Sequence, residues 1–74
     1  MSSVEIKLKT RNEVLSFSKM ALSIPANVFL SSDRMNVDGK DIMDIYKLNL
    51  LNPITCTCDD DTFLRVVSSM WGVS

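Results

Sequence analysis

The order in which strand-like and helix-like stretches alternate is the feature that most limits how this chain can fold. Residues 4–8, 27–31, 35–37 and 54–58 have the alternation or the β-branched content of strands. Residues 14–23, 42–48 and 63–71 place apolar side chains at steps of three and four, as helices do. The predicted order is β-α-β-β-α-β-α, an α+β open-faced β-sandwich with a four-stranded antiparallel sheet and three helices on one face.

Length and composition exclude several classes of protein. The 74 residues, 46% hydrophobic and 23% charged, suit a single small globular domain spanning residues 1–74. A formal net charge of −1 gives no reason to expect a nucleic-acid partner. Because the chain has neither a signal-peptide pattern nor an apolar run near the ~20 residues of a membrane span, we expect a cytoplasmic protein without membrane contact.

The first helix has a predicted start, end and buried face. Thr10 and Glu13 have the spacing of a capping box, in which Thr10 accepts from the first turn and Glu13 accepts from the N-cap backbone. Pro25 disfavours helical geometry in the residue before it, so the helix should end near Ser23. The predicted core-facing residues are Val14, Phe17, Ala21 and Ile24, widened by Leu15 and Leu22.

A tight turn and an abrupt helix start are predicted at residues 37–43. Gly39 accepts a positive φ, and Asp38 can hydrogen-bond the turn backbone. Asp41 is then the N-cap of a second helix over residues 42–48. Ile45 and Leu48 are predicted to face the core, with Met43 and Tyr46 nearer the rim, and Asn49 can tolerate left-handed geometry at the C-terminal end.

The last strand leads into a turn of three aspartates that caps the last helix. Cys56 and Cys58 project to one face of the strand, where a disulfide would need distortion. A structural zinc ion needs four ligands, and the chain has no histidine or third cysteine. We expect buried reduced thiols, no metal and no cofactor. The predicted buried face of the last helix is Phe63, Val66, Val67, Met70 and Trp71.

Residues 37–48, which read V-D-G-K-D-I-M-D-I-Y-K-L, carry a resemblance to a known family. They resemble the turn and second helix of HPr, the histidine-containing phosphocarrier of the bacterial sugar phosphotransferase system, where a similar segment reads roughly G-K-S-I-M-G-V-M-S-L. HPr also has the order β-α-β-β-α-β-α. The resemblance implies the HPr fold for nearly the whole chain.

The chain departs from this family at the residue that carries phosphate. HPr holds its phosphate on a histidine in a motif that reads roughly G-I-H-A-R-P, at the N-terminus of the first helix. This chain has no histidine, and the corresponding residues 9–13 place Thr10 or Arg11 near that position. A threonine hydroxyl is a weak nucleophile without a base, and arginine has no lone pair to offer. Neither replaces the histidine, so we expect no carrier activity and no enzyme.

Two further correspondences concern the second helix. Asp41 aligns with a serine that a kinase phosphorylates in many Gram-positive HPr proteins, so it is either a built-in substitute for that phosphoserine or simply an N-cap. Ile42, Met43 and Tyr46 match the apolar patch on which partners of HPr dock. Alternatively, these three residues complete a small core or cover the loop at Leu50 and Leu51.

These observations lead to one main hypothesis and two alternatives. The main one is an HPr-like domain that lacks the phosphoryl-acceptor histidine and acts as a non-catalytic binding or regulatory module through residues 41–46. Its partner would be a protein, either a phosphotransferase-system enzyme or a transcription regulator. The alternatives are a phosphoacceptor that uses the hydroxyl of Thr10 or Ser16, and a structural domain that forms homodimers through the second helix.

Overall fold

The element order of the structure matches the prediction. The computed structural model describes residues 2–73. Its elements are β1 (Ser2–Ile6), α1 (Arg11–Leu22), β2 (Val28–Ser32), β3 (Met35–Asp38), α2 (Ile42–Ile45), β4 (Ile54–Cys58) and α3 (Asp61–Trp71). The strands form a four-stranded antiparallel sheet in the order β1-β4-β2-β3. The predicted α+β open-faced sandwich is therefore confirmed.

Strand β4 shows how the sheet separates its two faces. Its burial alternates along the strand, with Ile54, Cys56 and Cys58 buried and the two threonines between them half-buried. Cys56 lies opposite Val4 of β1 and Leu30 of β2, which also belong to or pack against the apolar core. The helices therefore cover one face of the sheet, and the hydroxyls of β4 lie on the other.

Phe17 of α1 lies in the core beside α3. It is fully buried, and its ring centroid is 5.9 Å from that of Phe63 and 6.0 Å from that of Trp71. The ring planes of Phe17 and Phe63 meet at 66°, an edge-to-face contact that aromatic pairs favour, and those of Phe17 and Trp71 are tilted by 60°. These contacts hold α1 against α3.

The buried face of α1 differs in part from the predicted one. Helix α1 ends at Leu22 with Ser23 as its C-cap, as predicted. Leu15 and Leu22, however, are 38% and 62% exposed, so the predicted widening of the apolar face by these two leucines is wrong. Each follows a buried residue directly, and one residue turns a helix by about 100°, away from the core. Ser18 is buried in their place.

Helix α2 is shorter than predicted. It ends at Ile45, with Tyr46 as C-cap. The chain then makes two backbone hydrogen bonds to the third residue before, from Lys47 N to Asp44 O and from Leu48 N to Ile45 O. Leu48 is nevertheless buried, as predicted. Within residues 2–73, Asp33 is the only non-glycine residue with positive φ, so Asn49 does not adopt the left-handed geometry that it could tolerate.

The turn before α2 needs glycine for a reason other than the predicted one. Gly39 does not have a positive φ. A Cβ atom there would lie 2.8 Å from Cγ1 of Val28 and 3.2 Å from the Val28 carbonyl oxygen, so the chain passes too close to β2 for a side chain. Asp38 behaves as predicted, since its Oδ1 accepts from the backbone N–H of Lys40 at 2.9 Å.

Helix α3 is capped by Asp60 and buries Phe63, Leu64, Val67 and Trp71. Val66 and Met70, predicted to be buried, are 41% and 55% exposed because Leu64 takes the inward position. After the helix, the chain returns to the edge of β1: Lys7 N donates to Trp71 O at 2.9 Å, and Val73 N donates to Glu5 O at 3.2 Å. Among the described helices, none is long and apolar enough to cross a bilayer.

Candidate functional site

The N-terminus of α1 is the first candidate site. It contains Thr10 and Arg11, which the sequence resemblance places near the position of the phosphate-carrying histidine. Thr10 is the N-cap, and its Oγ1 accepts from the backbone N–H of Glu13 at 3.2 Å. Glu13 Oε1 in turn accepts from the backbone N–H of Lys9 at 2.6 Å. The predicted capping box is thus present, with Glu13 reaching one residue further back than predicted. Arg11 is the exposed first residue of the helix.

Glu13 determines the electrostatics of this helix start. Its carboxylate lies in the first turn, where the positive end of the helix dipole favours a negative charge. A second anion at the same place would be repelled by the carboxylate. The carboxylate of Glu13 therefore already provides the negative charge that the helix start favours.

A cleft of about 370 Å³ adjoins this helix start. Lys7, Lys9 and Glu13 line it together with the end of α3 and the two residues after it. The two ammonium groups would attract an anion, whereas the Glu13 carboxylate opposes one. The hydroxyl that the sequence singled out, on Thr10, is not among the lining residues.

The start of α2 is the second candidate site. Asp41 is its N-cap, as predicted, and its Oδ1 accepts from the backbone N–H of Met43 at 3.0 Å. Its own backbone N–H donates to the Asp38 carbonyl oxygen at 3.2 Å. The Asp41 side chain itself is exposed. Its carboxylate therefore satisfies the helix start and also presents a negative charge to solvent.

We use the name α2 patch for Ile42, Met43 and Tyr46. Met43 is 70% exposed and Tyr46 is 44% exposed, while Ile42 is half-buried and packs against the core. Leu51, which these residues could have covered, is 83% exposed. Met43 and Tyr46 thus do not complete the core, and Leu51 is left uncovered. At the other end of the helix, Asp44 pairs with Lys47 at 3.1 Å.

Two residues that the sequence did not single out fix the position of α2. The Nζ of Lys40 donates to the Ile24 carbonyl oxygen, just after α1, at 2.7 Å. Ser18 Oγ donates to the Lys40 carbonyl oxygen at 3.4 Å. Ser18 follows Val14 by four residues, so its place on the buried stripe could have been found from helical spacing. No comparable pattern marks Lys40.

The two candidate sites are not adjacent along α1. The hydrogen bonds from α1 and the residues just after it to Lys40, just before α2, involve Ser18 and Ile24. Ser18 is eight residues beyond Thr10, which is about 12 Å of helix. Within residues 2–73, no hydrogen bond or ion pair joins Thr10 or Arg11 to residues 41–46. The structure brings Asp41 together with the α2 patch but leaves Thr10 and Arg11 apart from them.

The two cysteines are buried free thiols. Removal from water raises the pKa of Cys56 to about 12, and the neighbouring Cys58 adds to this effect. A thiol with so high a pKa is unreactive at neutral pH because the thiolate is the nucleophile. In the part of the chain that the structure describes, no cluster of His, Cys, Asp or Glu side chains could hold a metal ion.

Comparison with solved structures finds proteins that have the same fold. The chain is similar to HPr-C-His from Thermoanaerobacter tengcongensis, with a TM-score of 0.84 at 19% sequence identity over 95% of this chain and 90% of that one. It is also similar to the phosphocarrier protein HPr from Bacillus anthracis, with a TM-score of 0.72 at 23% identity over 95% and 93%. The histidine-containing phosphocarrier protein of Mycoplasma gives a TM-score of 0.72 at 18% identity over 92% and 86%.

Comparisons by sequence find no counterpart. No protein-family model matches the chain, and no curated protein matches it. The structural matches still cover almost all of the described residues at high TM-scores. The chain therefore has the HPr fold, as the order of its elements predicted.

Proposed function

We propose that this HPr-like chain is a non-catalytic binding or regulatory module that carries no phosphoryl group. The observation that carries the proposal is the occupant of the α1 N-terminus. Glu13, through its bond to Lys9 N at 2.6 Å, places a fixed carboxylate at the helix end that would have to stabilise a phosphoryl group. The same proposal takes the chain to be one domain over residues 1–74, without enzyme activity.

Electrostatic repulsion and the absence of a histidine or an activated hydroxyl both argue against phosphoryl transfer. A phosphoryl group carries between one and two negative charges at neutral pH, and Glu13 would repel it at close range. The chain contains no histidine. The hydroxyl of Thr10 is bound as a helix cap, and no imidazole is present to take its proton. Ser16 is exposed on α1, away from the helix start.

The α2 patch is the surface through which we propose that the module works. Methionine and tyrosine side chains exposed side by side are typical of interfaces, because both bury a large apolar area on contact. The exposed carboxylate of Asp41 borders them, and it would serve as a fixed charge in place of a regulatory phosphoserine. The partner class we propose is a phosphotransferase-system enzyme or a transcription regulator.

The loss of phosphoryl transfer can be tested directly. The chain would be incubated with phosphoenolpyruvate and the enzyme that phosphorylates HPr, beside an HPr that has its histidine as the positive control. We expect acid-labile phosphate on the control and none on this chain. Acid-labile phosphate on this chain would refute the proposal. An acid-stable phosphate that disappears in Thr10→Ala or Ser16→Ala would instead support a hydroxyl acceptor.

The binding role needs a second experiment with a matched control. Met43→Ser and Tyr46→Ser remove exposed apolar groups from the α2 patch, and Leu22→Ser removes one that is 62% exposed on α1. Calorimetric titration with each class of partner should show binding that the first two variants weaken about tenfold and Leu22→Ser leaves unchanged. Equal loss in all three variants would contradict the assignment. Sedimentation at several concentrations would reveal a homodimer, and an association abolished by Tyr46→Ser would favour the structural alternative.

A further inference from the structure

A second cleft lies between the β2–β3 hairpin and the segment that follows α2. Its volume is about 610 Å³, which falls within the range of small-molecule sites. Residues 32–36 of the hairpin form one wall and residues 47–49 form the other. None of the residues of the α1 N-terminus or of the α2 patch lines this cleft.

Two side chains in this cleft have donor groups without partners. The guanidinium of Arg34, in the hairpin loop, makes no hydrogen bond or ion pair with any residue of 2–73, although seven aspartates lie in residues 33–61. The Oδ1 of Asn49 accepts from the backbone N–H of Leu51 at 3.1 Å, which leaves its amide nitrogen to donate. A guanidinium has five N–H donors in a planar fork, suited to the two oxygens of a carboxylate or phosphate.

Lys47 supplies the second positive charge of the cleft. Its Nζ is 3.1 Å from Asp44, in an ion pair whose side chains are 63% and 29% exposed. Such an exposed pair is weak, because water screens both charges. A ligand anion in the cleft can therefore compete with Asp44 for this ammonium group.

The residues that line the cleft carry more positive than negative charge. Arg34 and Lys47 contribute two positive charges and Asp33 one negative charge, while Asp44, the ion-pair partner of Lys47, lies outside the lining. The apolar part of the lining comes from Leu48, which is buried, and from Met35, which is 45% exposed. The cleft thus combines anion-binding donors with a small apolar surface.

We propose that this cleft binds a small organic anion through its carboxylate or phosphate group. The Arg34 guanidinium holds two oxygens of the anion, Lys47 adds its charge, and the Asn49 amide nitrogen donates a further hydrogen bond. The apolar part of the ligand contacts Met35 and Leu48. The inference does not rest on the function proposed above, because the two involve different residues.

Titration of the intact ¹⁵N-labelled chain with inorganic phosphate, and separately with acetate, tests this proposal by NMR. We expect saturable shifts of the backbone amides of residues 32–36 and 47–49. Saturation by phosphate at the lower concentration would identify a phosphate-bearing ligand, and saturation by acetate at the lower concentration would identify a carboxylate. Shifts that do not saturate, or that spread over all lysines and arginines, would overturn the proposal.

Variants separate a built site from general charge attraction. Arg34→Gln should weaken the binding about tenfold, because it removes the charged fork but keeps much of the side chain. Lys19→Gln, which changes an exposed lysine on α1 and the net charge by the same amount, should leave the binding unchanged. Equal weakening in both variants would overturn the proposal. The amide spectrum of each variant shows directly that it is folded.

Discussion

The bond from Lys40 to the end of α1 gives a sharp prediction about stability. Its Nζ donates to the Ile24 carbonyl oxygen at 2.7 Å in a partly buried setting, and Lys40 has no carboxylate partner among residues 2–73. A hydrogen bond from a charged donor contributes about 1.5–3 kcal/mol when it is shielded from water. Because Lys40 is only half-buried, water screens part of this contribution, and we expect Lys40→Met to lower the free energy of unfolding by about 1–2 kcal/mol, somewhat less than that range.

Lys47→Met is the matched control for this experiment. It removes the same charge from the same region, but its ion pair with Asp44 is exposed and should contribute less than about 0.5 kcal/mol. Urea unfolding of both variants can be followed by the fluorescence of Trp71, which is buried and is the only tryptophan of the chain. The dependence of the unfolding free energy on urea should keep its slope, since the buried area hardly changes.

The thermal midpoint provides a second measurement of the same change. For a chain of this size, a loss of 1–2 kcal/mol lowers the midpoint by about 4–16 °C. Lys40→Arg should recover only part of the loss, because a planar guanidinium does not fit the position of a compact ammonium. If Lys40→Met were no more destabilising than Lys47→Met, the bond to Ile24 would not be what holds α2 to α1.

Three further predictions concern single residues. Burial raises the pKa of Cys56 from 9.0 to about 12, so its thiol stays protonated in the folded chain while it ionises near pH 9 in the unfolded one. The free energy of unfolding is therefore unaffected by the ionisation of this thiol below pH 9 and falls between pH 9 and 12 by up to about 1.4 kcal/mol per pH unit. Urea unfolding across this range should show a steeper fall for the natural chain than for Cys56→Ala. Parallel curves for the two chains would contradict the prediction. Asp33 has a φ of 56°, a left-handed geometry that glycine adopts without strain and alanine does not. Measured by calorimetry, Asp33→Gly should raise the free energy of unfolding by up to about 1 kcal/mol, and Asp33→Ala should not raise it. Thr10→Val removes the acceptor for Glu13 N and should cost about 1 kcal/mol in urea unfolding, whereas Thr10→Ser should restore the cap.

Local sequence patterns predicted the elements well because the forces that start and stop them are local. Thr10, Asp41 and the aspartates before α3 each sit where a helix start needs an acceptor, and all three caps are present. The antiparallel sheet was predicted from the hairpin and the crossovers, whereas the strand order β1-β4-β2-β3 comes from the structure alone. The helix caps depend on residues within four positions of one another, so local sequence patterns are enough to predict them.

The width of a buried helix face is not a local property. Leu15 and Val66 are apolar and lie beside the core stripe, yet they are exposed because the neighbouring elements do not extend over them. The bond from Lys40 to Ile24 joins residues 16 apart, and no spacing rule connects them. For the same reason the sequence did not predict the cleft for which we propose anion binding, because its lining brings Arg34 and Lys47 together from separate segments.

The return of the chain to β1 after α3 has a practical consequence for handling this protein. Gly72 bridges Ile6, and a Cβ at Gly72 would collide with the Ser68 carbonyl oxygen, so the close path to the strand depends on that glycine. A chain shortened to end at residue 71 would keep Trp71 in the core but lose the bridge of Gly72 to Ile6 and the hydrogen bond from Val73 N to Glu5 O, which opens the edge of β1 to solvent. An open strand edge is a template on which other chains add, so such a deletion should produce polymers rather than a smaller monomer. Affinity tags are therefore better joined through a spacer beyond residue 73 than placed directly against this edge.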